Sequence, residues 1–377
     1  MHNGLLIAWI VETIIIGVVF FLLQMPIRKR NAFIIRLILF IVKLFLIPVT
    51  ALLFVAIESV FVYRHGEIFV ALYVILVGDI ISGILESVIS LVTKITGKKK
   101  DEISYNVKRH AILFTCISCI FFLFGYINAN QYVEKKHTWV VDDIAKPHTF
   151  AFVADLHSGS ARSVESLREL CKSINSANPE FVILGGDITD ELSSYEEMTD
   201  TYRILSEIEA PVYFVYGNHD RQLEAEFAGG RTYSDEELAD AINEAGIHIL
   251  SDEFVKVSDD LVLLGREDLS AGDARKKWGD LNNPYADIPA IIVADHQPYD
   301  NEQLADEETD LQLSGHTHAG QLWPLQFIYR FFLKLPAFGE FKKPNTLLYV
   351  SSGASDWMLP FRTEERCEWD LITLIDS

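Results

Sequence analysis

Basic residues are scarce in the larger part of this chain. Residues 1–136 hold 14 Lys and Arg against 8 Asp and Glu, whereas the rest hold 18 against 45, within a net charge of −21. Nucleic-acid backbones are gripped by Lys and Arg, so nucleic acid is not expected as a partner of the acidic part. Cysteine is also scarce, at four in 377 residues. Cys116 and Cys119 form a C-x-x-C inside an apolar stretch, which reads as packing rather than redox or zinc chemistry. Whether Cys171 and Cys367 meet is not set by the sequence. No basic segment precedes the first apolar run, which argues against a cleaved signal peptide. The apolar region shows neither repeated halves nor interrupted helices, which argues against a transporter.

What the first third does hold is long apolar runs. Stretches 5–25, 37–57, 68–92 and 111–128 predict four transmembrane helices, each able to cross ~30 Å of hydrocarbon. Their charges are few: Glu12, then Lys43, then Asp79 and Glu86. The last two are seven residues apart on one helical face, where packing against another helix is the expected role. Basic residues gather in the first connection (Arg28, Lys29, Arg30, Arg36) and the third (Lys94, Lys98, Lys99, Lys100, Lys108, Arg109). The positive-inside rule puts those connections in the cytoplasm and both termini outside. The expected plan is a four-helix anchor over 1–136, a linker over 137–148 and a soluble domain over 149–377. The anchor makes this a multi-pass cell-membrane protein whose soluble domain is extracytoplasmic.

The soluble part alternates strand and helix patterns. Strands are expected at 150–154, 181–184, 212–216, 261–265, 290–294, 311–313, 347–351 and 370–375. Helices are expected at 163–177, 195–208 and 234–245, the last with Ser234 and Glu237 as a capping box. Polar clusters follow the strands: Asp155 and His157; Gly186-Asp187 with Asp190; Gly217-Asn218-His219-Asp220; a solitary His296; and Gly315-His316-Thr317-His318. Ligands at strand ends are where open α/β sheets build their sites. Carboxylate, amide and imidazole groups together suit a divalent ion such as Mn, Fe or Zn. The set exceeds the three or so protein ligands of one open site, so two metals are expected. His65, His110, His137, His148 and His248 have no such partners and read as structural or exposed.

The ordered pattern D-x-H, G-D-x-x-D, G-N-H-D, H, G-H-x-H resembles the calcineurin-like metallophosphoesterase family from about Thr149 onward. The resemblance implies a four-layer αββα sandwich of two mixed sheets. It also implies that Asp155, His157 and His318 bind one divalent metal and Asn218, His296 and His316 a second, with Asp187 bridging. Mn is the first expectation, with Fe or Zn as alternatives. Cations ~3.5–4 Å apart clamp the oxygens of an in-line displacement, and a water between them becomes a hydroxide nucleophile. His219 is the expected general acid, Asp220 the carboxylate orienting it, and Asp190 an acceptor behind the ligands.

The wording around His316 and His318 resembles the membrane-associated bacterial branch, which includes pyrophosphatase-type phosphodiesterases acting on UDP-2,3-diacylglucosamine. Ala319 stands where that branch usually has Gly. The segment 322–338 that follows is aromatic, with Arg330 and Lys334 four apart, and reads as a lipid-facing lip. A membrane-anchored phosphoesterase acting on a phosphodiester or diphosphate of a lipid-linked substrate is therefore expected. The alternatives are a broad-specificity phosphodiesterase on soluble nucleotides, or an inactive membrane scaffold or sensor. No protein partner is evident.

Overall fold

Alternation within one short strand sets up both cores of the C-terminal part. Side chains on a strand point to opposite faces in turn. Phe150, Phe152 and Ala154 accordingly join one buried cluster, while Ala151 and Val153 join another. The computed structural model describes residues 41–50, 60–96, 107–159, 162–221, 231–299, 309–357 and 360–377.

The chain divides into two compact units: Met1–Ile127 with Leu322–Leu325, and Asn128–Gln321 with Gln326–Ser377. In the first, a short helix α1 (Ile41–Thr50) is followed by α2 (Val60–Ile95) and α3 (Val107–Ala129). Among the described residues, two stretches, Val70–Ile89 and Ala111–Ala129, are long and apolar enough to cross a membrane. They fall on the expected spans at 68–92 and 111–128. The expected span at 5–25 lies outside the described residues, and of 37–57 only the ten residues of α1 are described. Large apolar side chains point outward from these helices, among them Phe45, Ile84, Ile120 and Phe124.

The second unit is α/β, built on two mixed six-stranded sheets. Its strands are β1 (Val133–Val140), β2 (His148–Val153), β3 (Val182–Leu184), β4 (Val212–Phe214), β5 (His248–Ile249), β6 (Glu253–Lys256), β7 (Leu261–Gly265), β8 (Ala290–Ala294), β9 (Leu311–Ser314), β10 (Gly339–Lys342), β11 (Leu347–Val350) and β12 (Glu368–Ile375). One sheet runs β1-β12-β2-β3-β4-β5 and the other β10-β11-β9-β8-β7-β6. Phe150, Phe152, Ile183, Leu263, Ile292, Leu313 and Ile372 fill the core that both sheets share. The outer face of the first sheet packs on helices α4 (Leu167–Ala177), α5 (Tyr195–Leu205) and α7 (Asp235–Glu244) through Leu170, Ile174, Tyr202 and Leu238. The expected capping box is present, with Glu237 N–H donating to Ser234 Oγ at 3.1 Å.

Two features differ from the sequence expectation. The stretch 137–148 contains the second half of β1 rather than only a linker, and β1 pairs in parallel with β12 along its whole length. Its residues look polar because most face solvent in alternation. The outer face of the second sheet, at Leu264 and Val293, is covered by Phe254, Trp278 and Leu281. Trp278 stands on a 3-10 turn, so no α-helical fourth layer is seen there among the described residues.

Within the N-terminal unit, Lys43 Nζ lies 2.5 Å from Asp79 Oδ2, giving the expected helix-packing role for Asp79 a specific partner. Removing one member of a buried pair strands the other charge and costs about 3–5 kcal/mol. Asp79→Ala should therefore lower the unfolding temperature of the detergent-solubilised protein. Lys43→Leu with Asp79→Leu should recover most of the loss; a double variant no better than the single one would show that the pair contributes nothing.

Candidate metal centre

Five strand ends deliver the side chains. Chain leaving β2 carries Asp155 and His157, chain leaving β3 carries Asp187, and chain leaving β4 enters the single-turn helix α6 (Asn218–Arg221). His296 follows β8, and His316 and His318 follow β9. To aim these groups inward the backbone turns sharply: Asp155, His157, Asp187, His316 and His318 all have positive φ, from 42° to 73°. Such left-handed residues cost on the order of 1–3 kcal/mol each and persist only where their surroundings enforce them. The glycines beside them leave room for this approach. A Cβ at Gly217 would overlap Asp187 Oδ1, and one at Gly315 would overlap Asp155 Oδ2.

The result is two clusters of potential ligands. Asp155, His157 and His318 offer atoms all within 4.8 Å of one another, as do Asp187, His296 and His316. Asn218 joins the second cluster, its Oδ1 lying 2.8 Å from His316 Nδ1. Asp187 sits between the clusters: its Oδ2 is 2.9 Å from His296 Nε2 and 3.9 Å from His157 Nε2. The sequence-predicted ligands are thus brought to one place.

The orientation of the rings follows from their backs. His157 Nδ1 faces Asp190 Oδ2 at 3.1 Å, His296 Nδ1 faces the Gly185 carbonyl at 2.8 Å, and His318 Nδ1 faces the Ser355 carbonyl at 3.0 Å. Oxygen acceptors at Nδ1 fix the tautomer and turn Nε2 towards the centre, as supports behind metal ligands commonly do. His316 is reversed and presents Nδ1 beside Asn218.

These residues fit a cation. Among the described residues, the buried Asp187 Oδ2 and His296 Nε2 have no close polar partner other than each other, at 2.9 Å. His157 Nε2 and His318 Nε2 face each other at 3.2 Å, where two rings protonated at Nδ1 present two lone pairs, an arrangement that a cation would relieve. Burial and the charge of His296 push His316 down to about 3, and burial with the His157 charge holds His318 well below the usual imidazole range. Both are therefore neutral donors at physiological pH, the form that binds metal. Burial would favour a protonated Asp187, but His296 and His219 outweigh it and keep this carboxylate ionised.

His219 and Asp220 diverge from expectation. Asp220 does not orient the His219 ring. Its carboxylate accepts from the backbone N–H groups of Gly217, Asp187, Ile188 and Thr189 at 2.8–3.1 Å, tying together the loops after β3 and β4. The partner of His219 is Glu191, almost fully buried, with Oε2 at 2.8 Å from Nδ1. Burial alone would lower the His219 pKa, but Asp187 and the bond to Glu191 lift it to about 10. Nothing in the sequence separated Glu191 from its neighbour Asp190.

Arg362 was also not foreseen. Fully buried, it donates from Nη2 to the Ser355 carbonyl at 2.6 Å and from Nη1 to the Ser352 carbonyl at 2.8 Å, fixing the loop behind His318. Tyr299 lies edge-on to His316 with ring centroids 5.3 Å apart, and Trp357 lies 6.0 Å from His219, so aromatic rings border the polar centre.

A Cβ at position 315 displaces the Asp155 carboxylate and presses on Ala154 Cβ at the edge of the shared core, leaving the rest of both cores untouched. Gly315→Ala should therefore keep its far-ultraviolet circular dichroism yet bind Mn about 10–100-fold more weakly, the scale of losing a ligand support, by isothermal titration. Unchanged Mn affinity would show that Asp155 is not a ligand.

Comparison with known proteins agrees with this geometry. Residues 148–320 match the family model described as calcineurin-like phosphoesterase. A "Transmembrane protein with metallophosphoesterase domain" from Danio rerio is 28% identical over 290 residues, covering 71% of this chain and 63% of that protein. An "Uncharacterized metallophosphoesterase" from Helicobacter pylori is 27% identical over 236 residues, 60% of each chain. "Phosphodiesterase YaeI" from Escherichia coli is 29% identical over 185 residues, 48% of this chain and 64% of that one. This chain thus spans about three fifths of the length of these curated relatives. The two mixed sheets and the clustered side chains agree with that match, so residues 148–320 are similar to calcineurin-like phosphoesterases.

Proposed function

We propose that this chain is a membrane-anchored, dinuclear metal-dependent phosphoesterase that hydrolyses a phosphodiester or diphosphate bond of a lipid-linked substrate. The observation that carries the reading is the placement of Asp187 between two ligand clusters with His219 alongside. Divalent cations held by Asp155, His157, His318, Asp187, Asn218, His296 and His316 would polarise the phosphoryl oxygens and activate a water. Mn is the first choice for that mixed donor set, before Fe or Zn.

The chain's own residues supply the rest. Glu191 accepts from His219 Nδ1–H, so the ring keeps its second proton on Nε2 when cationic. That proton is available to the oxygen of the departing group. The relatives' printed names, a transmembrane metallophosphoesterase and a phosphodiesterase, support the reaction class. The lipid-linked substrate rests on the apolar helices and the aromatic border of the site. Tyr329, on segment 322–338, lies near Tyr299; burial first, then that neighbour, push its hydroxyl up to about 12. The concentration of basic residues in the first and third connections supports an extracytoplasmic domain in a multi-pass membrane protein.

Acid catalysis typically contributes 10²–10⁴-fold. His219→Ala should lose about that much on a dialkyl phosphodiester or an alkyl diphosphate, but far less on bis-p-nitrophenyl phosphate, whose leaving group needs no proton. Glu191→Gln should show the same leaving-group dependence with a smaller loss, both variants keeping their bound metal. Equal losses on both substrates would remove the general-acid role. A comparison of kcat/KM on lipid-linked and soluble nucleotide diphosphates tests the substrate class, and preference for the soluble ester would overturn the lipid assignment.

A further inference from the structure

Outside the N-terminal helices, large apolar side chains exposed among the described residues occur singly, at Val140, Leu192, Tyr195 and Tyr299, with one exception. That exception is Trp323, Phe327, Phe331, Phe332 and Leu333, exposed at 49%, 51%, 61%, 72% and 53%. A helical turn α8 (Leu325–Ile328) running into a π-helical turn (Tyr329–Leu333) carries the last four. The ring of Phe327 lies 4.7 Å from Phe331 and 5.9 Å from Phe332, so the three form one apolar cap rather than scattered contacts. Leu325, by contrast, is buried and anchors the turn. Monomeric surfaces rarely expose such a patch without a partner.

The root of this turn indicates what covers it. Leu322–Leu325 pack with the N-terminal helices, and Tyr73 Oη, buried on α2, donates to the Trp323 carbonyl at 2.8 Å. Tyr73 lies near the start of the candidate span Val70–Ile89, the depth at which Trp and Tyr collect in membranes. Cations alternate with the rings: Arg330 is exposed and lies 6.0 Å over Phe331, and exposed Lys334 closes the turn. Aromatic side chains beside Arg and Lys match a bilayer interface, with rings among acyl chains and cations at anionic headgroups.

We propose that residues 326–334 form a membrane-dipping turn that docks the C-terminal domain on the anionic headgroup layer of the bilayer its own helices span. The proposal rests on reading α2 and α3 as membrane spans and not on the phosphoesterase chemistry.

The test uses the full chain in nanodiscs containing phosphatidylglycerol, with Cys116 and Cys119 replaced by Ser. An environment-sensitive nitrobenzoxadiazole label is placed at Phe332→Cys, with Phe331→Cys as a second position. Ile120→Cys in α3 reports insertion of the anchor, and Glu209→Cys reports aqueous surface. Emission at 331 and 332 should shift to the blue and be quenched by lipid bearing a nitroxide at acyl carbon 5, while the label at 209 is not. Replacing Arg330 and Lys334 by Gln should weaken the quenching at 332 but not at 120. A label at 332 that behaves like the one at 209, while 120 is quenched, overturns the proposal alone. Loss of quenching at 120 as well overturns it together with the membrane reading. Quenching that appears only after a lipid-linked diphosphate is added assigns the cap to substrate and also overturns it.

Discussion

The Asp220 carboxylate is the constraint on which the centre depends. Four backbone N–H groups, from Gly217, Asp187, Ile188 and Thr189, converge on its two oxygens. They belong to two loops that share no regular hydrogen bonding once β3 and β4 end. Without that anion, the Asp187 backbone and the start of α6 would have buried donors to satisfy separately, at a cost of about 1–3 kcal/mol for each one left unmade. Burial and the nearby Asp187 charge push Asp220 up to about 6, so the knot carries like-charge strain of its own. The His219 N–H returns the bond by donating to Asp187 Oδ1 at 2.8 Å.

Around that knot, function is divided between neighbours in the sequence. Asp190 and Glu191 are adjacent, yet one backs His157 and the other backs His219. Asn218, His219 and Asp220 likewise point to a cluster, to Glu191 and to a loop. Consecutive residues can serve three directions because α6 is a single turn, on which successive side chains fan out by roughly 100°.

The ligand-bearing strands were legible because their sequences are short apolar runs ending in Gly, Asp or Asn. Side chains buried on both faces leave no other reading, as at Val182–Leu184. β1, β5, β6 and β10 were not legible. Their residues alternate or face solvent, and β5 has only two residues, so pairing rather than composition makes them strands. The side chains that cluster here are those the family resemblance named, whereas the partner of His219 was not among them. Asp220 and Glu191 are both carboxylates, and the choice depends on which one the loop after β3 brings to Nδ1. The aromatic segment at 322–338 was legible as amphipathic. Which rings stand outward depends on Leu322, Leu325 and Ala337 being the buried ones.

Strand β12 lies between β1 and β2, pairing in parallel with the first and antiparallel with the second. β1 emerges directly after α3, while β12 closes at Ile375. During synthesis the residues that follow α3 must therefore wait, without a strand partner, for more than two hundred residues to follow. Such non-local pairing is slow and leaves an edge open to wrong partners. The charges of Glu134, Lys135 and Lys136 protect that waiting strand, since charged side chains discourage strand addition. The order of assembly is thus written into the sheet: β2, β3 and β4 can pair early, and β1 is joined last.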